Sequence, residues 1–542
     1  MLFFKWGFIT KTPRMLALLL VLSLMAAITS SSSYGQSRPS EDSSVVEESV
    51  WRSQRPNLED RLNPAQLPAE EIEKAITKGL LLADQNPIPP SIQLPTGPFE
   101  KATGLDDGSI YRVLGDGILK VSTADFDSKS GFYGVNKREV FVGKRSVSVT
   151  NIGCLSCHAG HLFGKDVIGL NNRLANVSKG RSLGQKAVGD GSLFAAVQHR
   201  FNDAELEVVE GYRERVADIR TTENHFPGLE PTVHTVIAAA VKGRDFPAKD
   251  YEAMEALAKP IPWWVTKYKT RWLHDGIVKN GSPILANLIA TEMSYNSDVE
   301  LVGKWINSSS DELDSLTTAV VRAEAPSYFD FFDDQTFDLD GAKRGDVVFH
   351  ENCARCHGDY EKRWKETSVD GLGVAELART TKVSYPQPTK ILDVGTDSLR
   401  HEGGAFLEDF GRTNLLIRSN EIELSATGGY APPPLEGVWA SWPYLHNGSV
   451  PTLWALLQPS SERPKTFYVG RAVDKKTDFD RVRNGYPLNP PGKWKTPSRK
   501  YDTRESSKSN SGHDVGIFID KDGKALITDQ QKRDLILFLK TL

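Results

Sequence analysis

The sequence predicts a mainly α-helical protein with minor β-structure and long loops, built in two halves that each carry one copy of a short motif. Three observations support this. All four cysteines of the 542-residue chain fall in two pentapeptides, Cys154-Leu155-Ser156-Cys157-His158 and Cys353-Ala354-Arg355-Cys356-His357. Apolar residues recur at helical spacing at Ile72, Ile76, Leu80 and Ala83, and again at Leu535, Phe538, Leu539 and Leu542. A composition of 39% hydrophobic and 25% charged residues is that of an ordinary globular protein, and the length suits two or three domains.

In chain order, residues 1–35 read as an export signal. Lys5, Lys11 and Arg14 precede the apolar run Met15–Ile28, and Ser33-Tyr34-Gly35 offers a cleavage site before Gln36. The run is shorter than the roughly 20 residues that a membrane helix needs, so no membrane span is expected once the signal is removed. Of the 66 basic residues that removal leaves 63 against 70 acidic, a net charge of −7, which gives no reason to expect nucleic acid as a partner. Residues 36–98 form a leader, low in apolar periodicity to about 66, and then a short helical extension over 69–84 that Pro87-Ile88-Pro89-Pro90 stops. The N-terminal motif domain is expected over 99–335. Ile118–Ser122 and Val140–Val142 read as strand, Gly160–Asn176 as loop, and Leu193–Phe201 and Pro231–Val241 as helix. Asp330–Gly341 marks a seam, and 336–542 form the second motif domain. There a helix runs from Gly341 into the motif, and Thr528 and Gln531 make a capping box at the start of the terminal helix.

C-x-x-C-H is the attachment pattern of c-type haem: two thiols add across the vinyl groups and hold the adjacent His beneath the iron. A zinc site would want two C-x-x-C pairs close together or a following H-x(3–5)-H, and neither is present. The expected cofactors are therefore two covalent haems c, held by Cys154, Cys157 and His158 and by Cys353, Cys356 and His357. Export fits, because bacteria join haem to such proteins outside the cytoplasm, which points to a periplasmic or secreted location.

A cytochrome c commonly holds iron between His and Met. Here Met1, Met15 and Met25 leave with the signal, and Met254 and Met293 both precede the second motif. The iron at His357 must then find His, Tyr or a weaker group opposite, or stay open. His401, His446 and His513 follow the motif. His446 sits in the irregular turn Pro443-Tyr444-Leu445-His446-Asn447-Gly448, and His513 in Ser511-Gly512-His513 before the terminal helix.

The stretch from Gly429-Tyr430 through Pro433-Pro434-Leu435 to Trp442-Pro443-Tyr444-Leu445-His446-Asn447-Gly448-Ser449-Val450-Pro451-Thr452-Leu453 resembles the bacterial di-haem cytochrome c peroxidase superfamily. Within that group it is most similar to the rubber oxygenase A-like di-haem c-type cytochromes, as are Arg463-Pro464, Phe467-x-Val469-Gly470 and the late Gly512-His513. The resemblance covers about 150–542 and is dense from 341. It implies two cytochrome c-like haem domains, with the helix before the second motif crossing the terminal helix. His357 would be proximal and His513 distal on a six-coordinate relay haem. His158 would be proximal on a haem whose other face is open to peroxide or O2. Tyr430 matches a position that ligates the second haem in a methylamine-dehydrogenase-maturing member, and is the rival of His513. Trp264, in a stretch with Trp263 and Trp272, is the candidate aromatic between the haems. His446 is read as organising its turn. For the distal side of the first haem His161 is poorly placed, and His199 and His234 remain open. A structural calcium ion is implied by the resemblance only.

The expected function is an exported haem-dependent oxidoreductase, peroxidase- or oxygenase-like, with His158, Trp264 and Tyr430 as its catalytic candidates. Its oxidant would be H2O2 or O2, and its other partner an unidentified organic molecule or redox protein. The rival is a pure electron-transfer cytochrome with both irons six-coordinate.

Overall fold

A computed structural model describes residues 69–85, 95–103, 133–180, 182, 186, 191–216, 224–231, 248–294 and 298–542. The signal, the leader, the Pro87–Pro90 stop, the Ile118–Ser122 strand, most of the helix expected from Pro231 and His234 lie outside the described residues. Among the described residues, helices and six two-stranded sheets alternate along the chain, and no helix is long and apolar enough to cross a membrane.

Helix α1 (Ala69–Gln85) realises the first periodic stretch. It buries Gly79, Leu82, Ala83 and Asp84 more deeply than Ile72 and Ile76. Gly79 makes this possible: a Cβ there would stand 2.1 Å from the Ser315 carbonyl oxygen of α2 (Ser310–Arg322). Strands β1 (Val135–Val142) and β2 (Arg145–Ile152) form an antiparallel hairpin in full register from Val135↔Ile152 to Val142↔Arg145. β2 leads straight into the first motif. The expected loop after it begins as a second hairpin, β3 (Ala159–Leu162) with β4 (Lys165–Ile168). Its turn places Phe163 and Gly164 both at positive φ, the two-residue geometry that suits twisted strands. A Phe in that position gives no turn signal, so the sequence alone read as loop.

The second motif follows α3 (Leu339–Asn352), whose N-cap Asp338 accepts from the Gly341 amide. α3 packs against α4 (Asp529–Lys540), where the expected Thr528–Gln531 capping box is formed. Gly345 lets the backbones touch, since a Cβ there would lie 2.0 Å from the Asp534 carbonyl oxygen. Phe349 and Phe538 meet at 5.0 Å between ring centres. The Arg344–Asp534 fork, 2.9 Å on both arms, is exposed on the Arg side, where solvent screens it. Burial of Phe349, Leu535 and Phe538, at about 2 kcal/mol each, outweighs it.

Among the described residues two large hydrophobic cores dominate, beside a small cluster of Val147, Val149 and Ala204. One joins Leu162, Leu174, Leu229 and Trp264 to Phe349, Trp439, Trp442, Leu535 and Phe538. The other joins Leu82, Leu155, Trp263, Ile289 and Val320 to Leu407, Phe410, Ile417 and Leu424. Both take residues from either side of the 335/336 seam.

Candidate functional site

The second motif borders a cavity of about 1020 Å³ lined by Cys353, Cys356, His357 and His513, with Leu535 and Leu539 of α4 in its wall. That volume is at the upper end for small-molecule sites. His357 is oriented from the cavity wall: its Nδ1 lies 2.7 Å from the Pro433 carbonyl oxygen. The rigid Pro432-Pro433-Pro434 run holds that carbonyl in place, and Tyr360 ties the motif to it by donating to the His357 carbonyl at 3.0 Å and accepting from the Leu435 amide at 2.5 Å. A bond at Nδ1 leaves Nε2 as the free lone pair, the arrangement typical of a metal-bound histidine.

His513 faces His357 with 6.1 Å between ring centres, and its buried Nδ1 has no protein hydrogen-bond partner. Two imidazoles sharing a metal through bonds of about 2 Å separate their ring centres by about 6 Å. Burial, and then the neighbouring His357, push His513 down to about 3, and burial lowers His357 as well, so both rings stay in the neutral form that binds metal. The backbone at His513 is left-handed (φ 54°), a conformation that costs a non-glycine residue about 1–3 kcal/mol and persists only where surroundings enforce it.

Tyr430 is placed differently. Its hydroxyl donates to the Asp397 carbonyl and lies 3.1 Å from His446 Nε2, while its ring stacks on His446 at 4.2 Å. Burial keeps the phenol well above its ordinary range, hence protonated. Tyr430 and His446 line the same cavity, with the phenol oxygen committed to the protein. His446 sits in a turn closed by the Tyr444–Val450 pair, and its carbonyl accepts from the Lys259 amide at 2.9 Å. Half-buried Lys259 donates to the Ser441 and Pro443 carbonyls at 2.7 and 2.9 Å, and desolvation of its ammonium brings it down to about 7. His401 packs its ring on Tyr430 at 5.4 Å.

The first motif is seated by close backbone contacts. Asp84 of α1 accepts from the Gly134 amide at 2.7 Å, and the Gly134 carbonyl accepts from the Gly153 amide, also at 2.7 Å. The chain then links His158 to Gly169 and Gly169 to Trp263 through backbone bonds of 2.7 and 3.0 Å. The ring of Trp263 thereby comes to 5.6 Å from His158. Burial lowers His158 to about 4. The predicted Trp264 turns the other way, donating to the Glu436 carbonyl at 2.8 Å on the wall of the second-motif cavity. Adjacent residues of one 3-10 helix, Trp263–Tyr268, so face the two motifs, one each. The sequence pointed to the tryptophan stretch but not to Trp263. No periodicity says which member of a Trp-Trp pair faces a histidine 105 positions earlier. His161 has both ring nitrogens engaged, with Asp166 at 2.8 Å and the Gly164 amide at 3.1 Å, and His199 is exposed.

None of the four cysteines is paired in a disulfide. Burial pushes Cys154 up to about 11 and Cys353 up to about 12, and raises Cys157 further. Among the described residues no three His, Cys, Asp or Glu side chains gather as a metal-binding group. A planar group held by two thioethers and two opposed imidazoles fits what is present. The donor set, the ring spacing and the cavity define the class of a c-type cytochrome centre.

Comparison with known proteins agrees at that level. Residues 429–468 match the family described as RoxA-like, cytochrome c-like. The match supports the RoxA-like cytochromes as this chain's relatives and haem c as cofactor. Uncharacterized protein y4iJ of Sinorhizobium fredii is 27% identical over 49% of this chain and 48% of its own length. Uncharacterized protein y4iM of the same organism is 29% identical over 38% of this chain and 50% of its own length. The chain spans about half the length of the curated relatives it matches.

Proposed function

We propose that the protein is an exported di-haem c-type oxidoreductase, with two cytochrome c-like haem domains as in the di-haem peroxidase superfamily. His158 would hold the haem at which H2O2 or O2 would react, and His357 and His513 would hold the other, which would relay electrons. The single observation that carries the reading is the His357–His513 pair, 6.1 Å between ring centres across the cavity bordered by Cys353 and Cys356.

When bound, haem supplies the redox and oxygen chemistry, and the protein supplies attachment, axial ligation and pocket polarity. Cys353 and Cys356 anchor one macrocycle, and Cys154 and Cys157 the other. Pro433 fixes the face that His357 presents, and His513 would be the second ring to hold the group and would keep exogenous ligands out. Trp263 beside His158 and Trp264 beside the second cavity shorten the path between the sites. Tyr430 and His446 shape the wall of the relay site. The electron acceptor or donor is an organic substrate or redox protein.

Two measurements test this. Haemochrome absorbance after acid-acetone extraction should report two covalent haems per chain. The ferric spectrum should combine one low-spin haem with a high-spin fraction that cyanide or azide shifts. Two low-spin haems indifferent to both ligands would turn the protein into an electron carrier. H2O2 turnover measured beside O2 consumption on candidate substrates separates peroxidase from oxygenase. Export is tested by the N-terminus of the mature protein, expected at Gln36.

A further inference from the structure

His513 stands at the end of a loop that does not hold itself in place. Gly512 and His513 are both left-handed (φ 71° and 54°), and Gly512 is pressed against Gly395, where a Cβ would meet the carbonyl carbon at 2.2 Å. The loop's own hydrogen bonds are few: Ser509 Oγ to Ser511 Oγ at 2.9 Å, and the Ser511 amide to Ser509 Oγ at 3.2 Å. Its carbonyls are gripped instead from one distant segment. Arg463, 2% exposed, donates from Nη1 to the carbonyls of Asn510 and Gly512 at 2.6 and 2.7 Å. From Nη2 it reaches the carbonyls of Leu456 at 3.2 Å and His513 itself at 3.4 Å. Asn510 answers by donating its side-chain amide to the Pro464 carbonyl at 3.0 Å. Upstream, fully buried Asn447 donates to the carbonyls of Ser507 and Ser509 at 3.1 and 3.0 Å.

A planar guanidinium presents its donors at fixed angles, so it can span several carbonyls while a point-like ammonium cannot. Charge-assisted bonds of this kind are strong enough to hold a strained turn. Arg463 has no carboxylate within ion-pair distance among the described residues, so its polar partners are the carbonyls of the loop and of Leu456.

We infer that Arg463 is the positioning residue for His513: it fixes the loop backbone so that the imidazole stands opposite His357, with Asn447 as second grip. Resting on the proposed ligation of the relay haem, this gives residues 429–468 the role of holding the distal ligand without supplying it.

The test compares three variants of the haem-loaded protein by ferric absorbance, low-temperature EPR and midpoint potential. His513→Ala should convert one haem from low to high spin; an unchanged spectrum would overturn the ligation reading, and the inference with it. With that conversion seen, Arg463→Gln should remove at least half of the same haem's low-spin signal, and added imidazole should restore it. Arg463→Lys keeps the charge and, should the Gln variant fail to fold, carries the test alone; it should lose a smaller share and shift the potential of that haem only. Wild-type EPR signals and potential in Arg463→Lys or Arg463→Gln, beside a responsive His513→Ala, would overturn the inference and leave the ligation reading standing.

Discussion

The two C-x-x-C-H motifs are copies in sequence and opposites in surroundings. Around Cys353–His357 everything a bis-histidine centre needs is in reach: a proximal ring fixed by Pro433, an opposed ring 6.1 Å away, and a cavity between them. Around Cys154–His158 the described residues offer an aromatic neighbour, Trp263, and no opposed histidine: His161 is engaged elsewhere and His199 is exposed. A motif fixes how a cofactor is tethered. What stands on its far side is decided by residues more than a hundred positions away, and that decides its chemistry.

The largest expected effect breaks the comparison at its root. Cys353→Ser with Cys356→Ser should halve the covalent haem per chain, and so should Cys154→Ser with Cys157→Ser. Haemochrome absorbance unchanged in either double variant would mean that motif tethers nothing. Next, His513→Ala should open one iron to azide, with the azide-induced spectral change growing by about one haem equivalent, whereas His199→Ala should leave it unaltered.

Acid comes third. His446, which ligates no iron in the proposed scheme, is held by burial at about 3, against roughly 6.5 in the unfolded chain. It therefore takes up a proton on unfolding below pH 6.5, so the folded state loses ground as pH falls from 6.5 toward 3. Each unit of pH in that window should cost about 1.4 kcal/mol. Urea titrations at pH 6.5, 5.5 and 5 check the slope, and His446→Gln should reduce it by about one proton. A slope unchanged in that variant would refute the burial of this ring. Gly345→Ala, which drives a methyl against the Asp534 carbonyl, should destabilise by about 1–3 kcal/mol in the same titration and perturb the second haem alone. The smallest effect is expected of Tyr430→Phe: loss of about 1 kcal/mol with its hydrogen bonds and no change of spin state. High spin at the second haem in that variant would make Tyr430 the ligand.

Periodic signals were legible in the sequence and long-range side-chain grips were not. α1, the helix entering the second motif and the capped terminal helix were readable because apolar spacing and capping residues are local. The missing methionine and Gly512-His513 narrowed the distal ligand to a choice of two. The β3–β4 hairpin was missed because Phe163 occupies a conformation usually left to glycine or asparagine. Trp263, Asn447 and Arg463 were missed as site residues for another reason. Their partners are a ring or backbone carbonyls far along the chain, and carbonyls carry no residue identity for a motif to match.

The interleaving of the cores sets the molecule's modularity. Leu407, Phe410, Ile417 and Leu424 complete the core that holds Leu155 of the first motif, while Leu162, Leu174 and Leu229 complete the one beside the second. A chain cut at 335/336 would strip a wall from each. The two motifs do not lie in two detachable parts, so damage in either core reaches the surroundings of both.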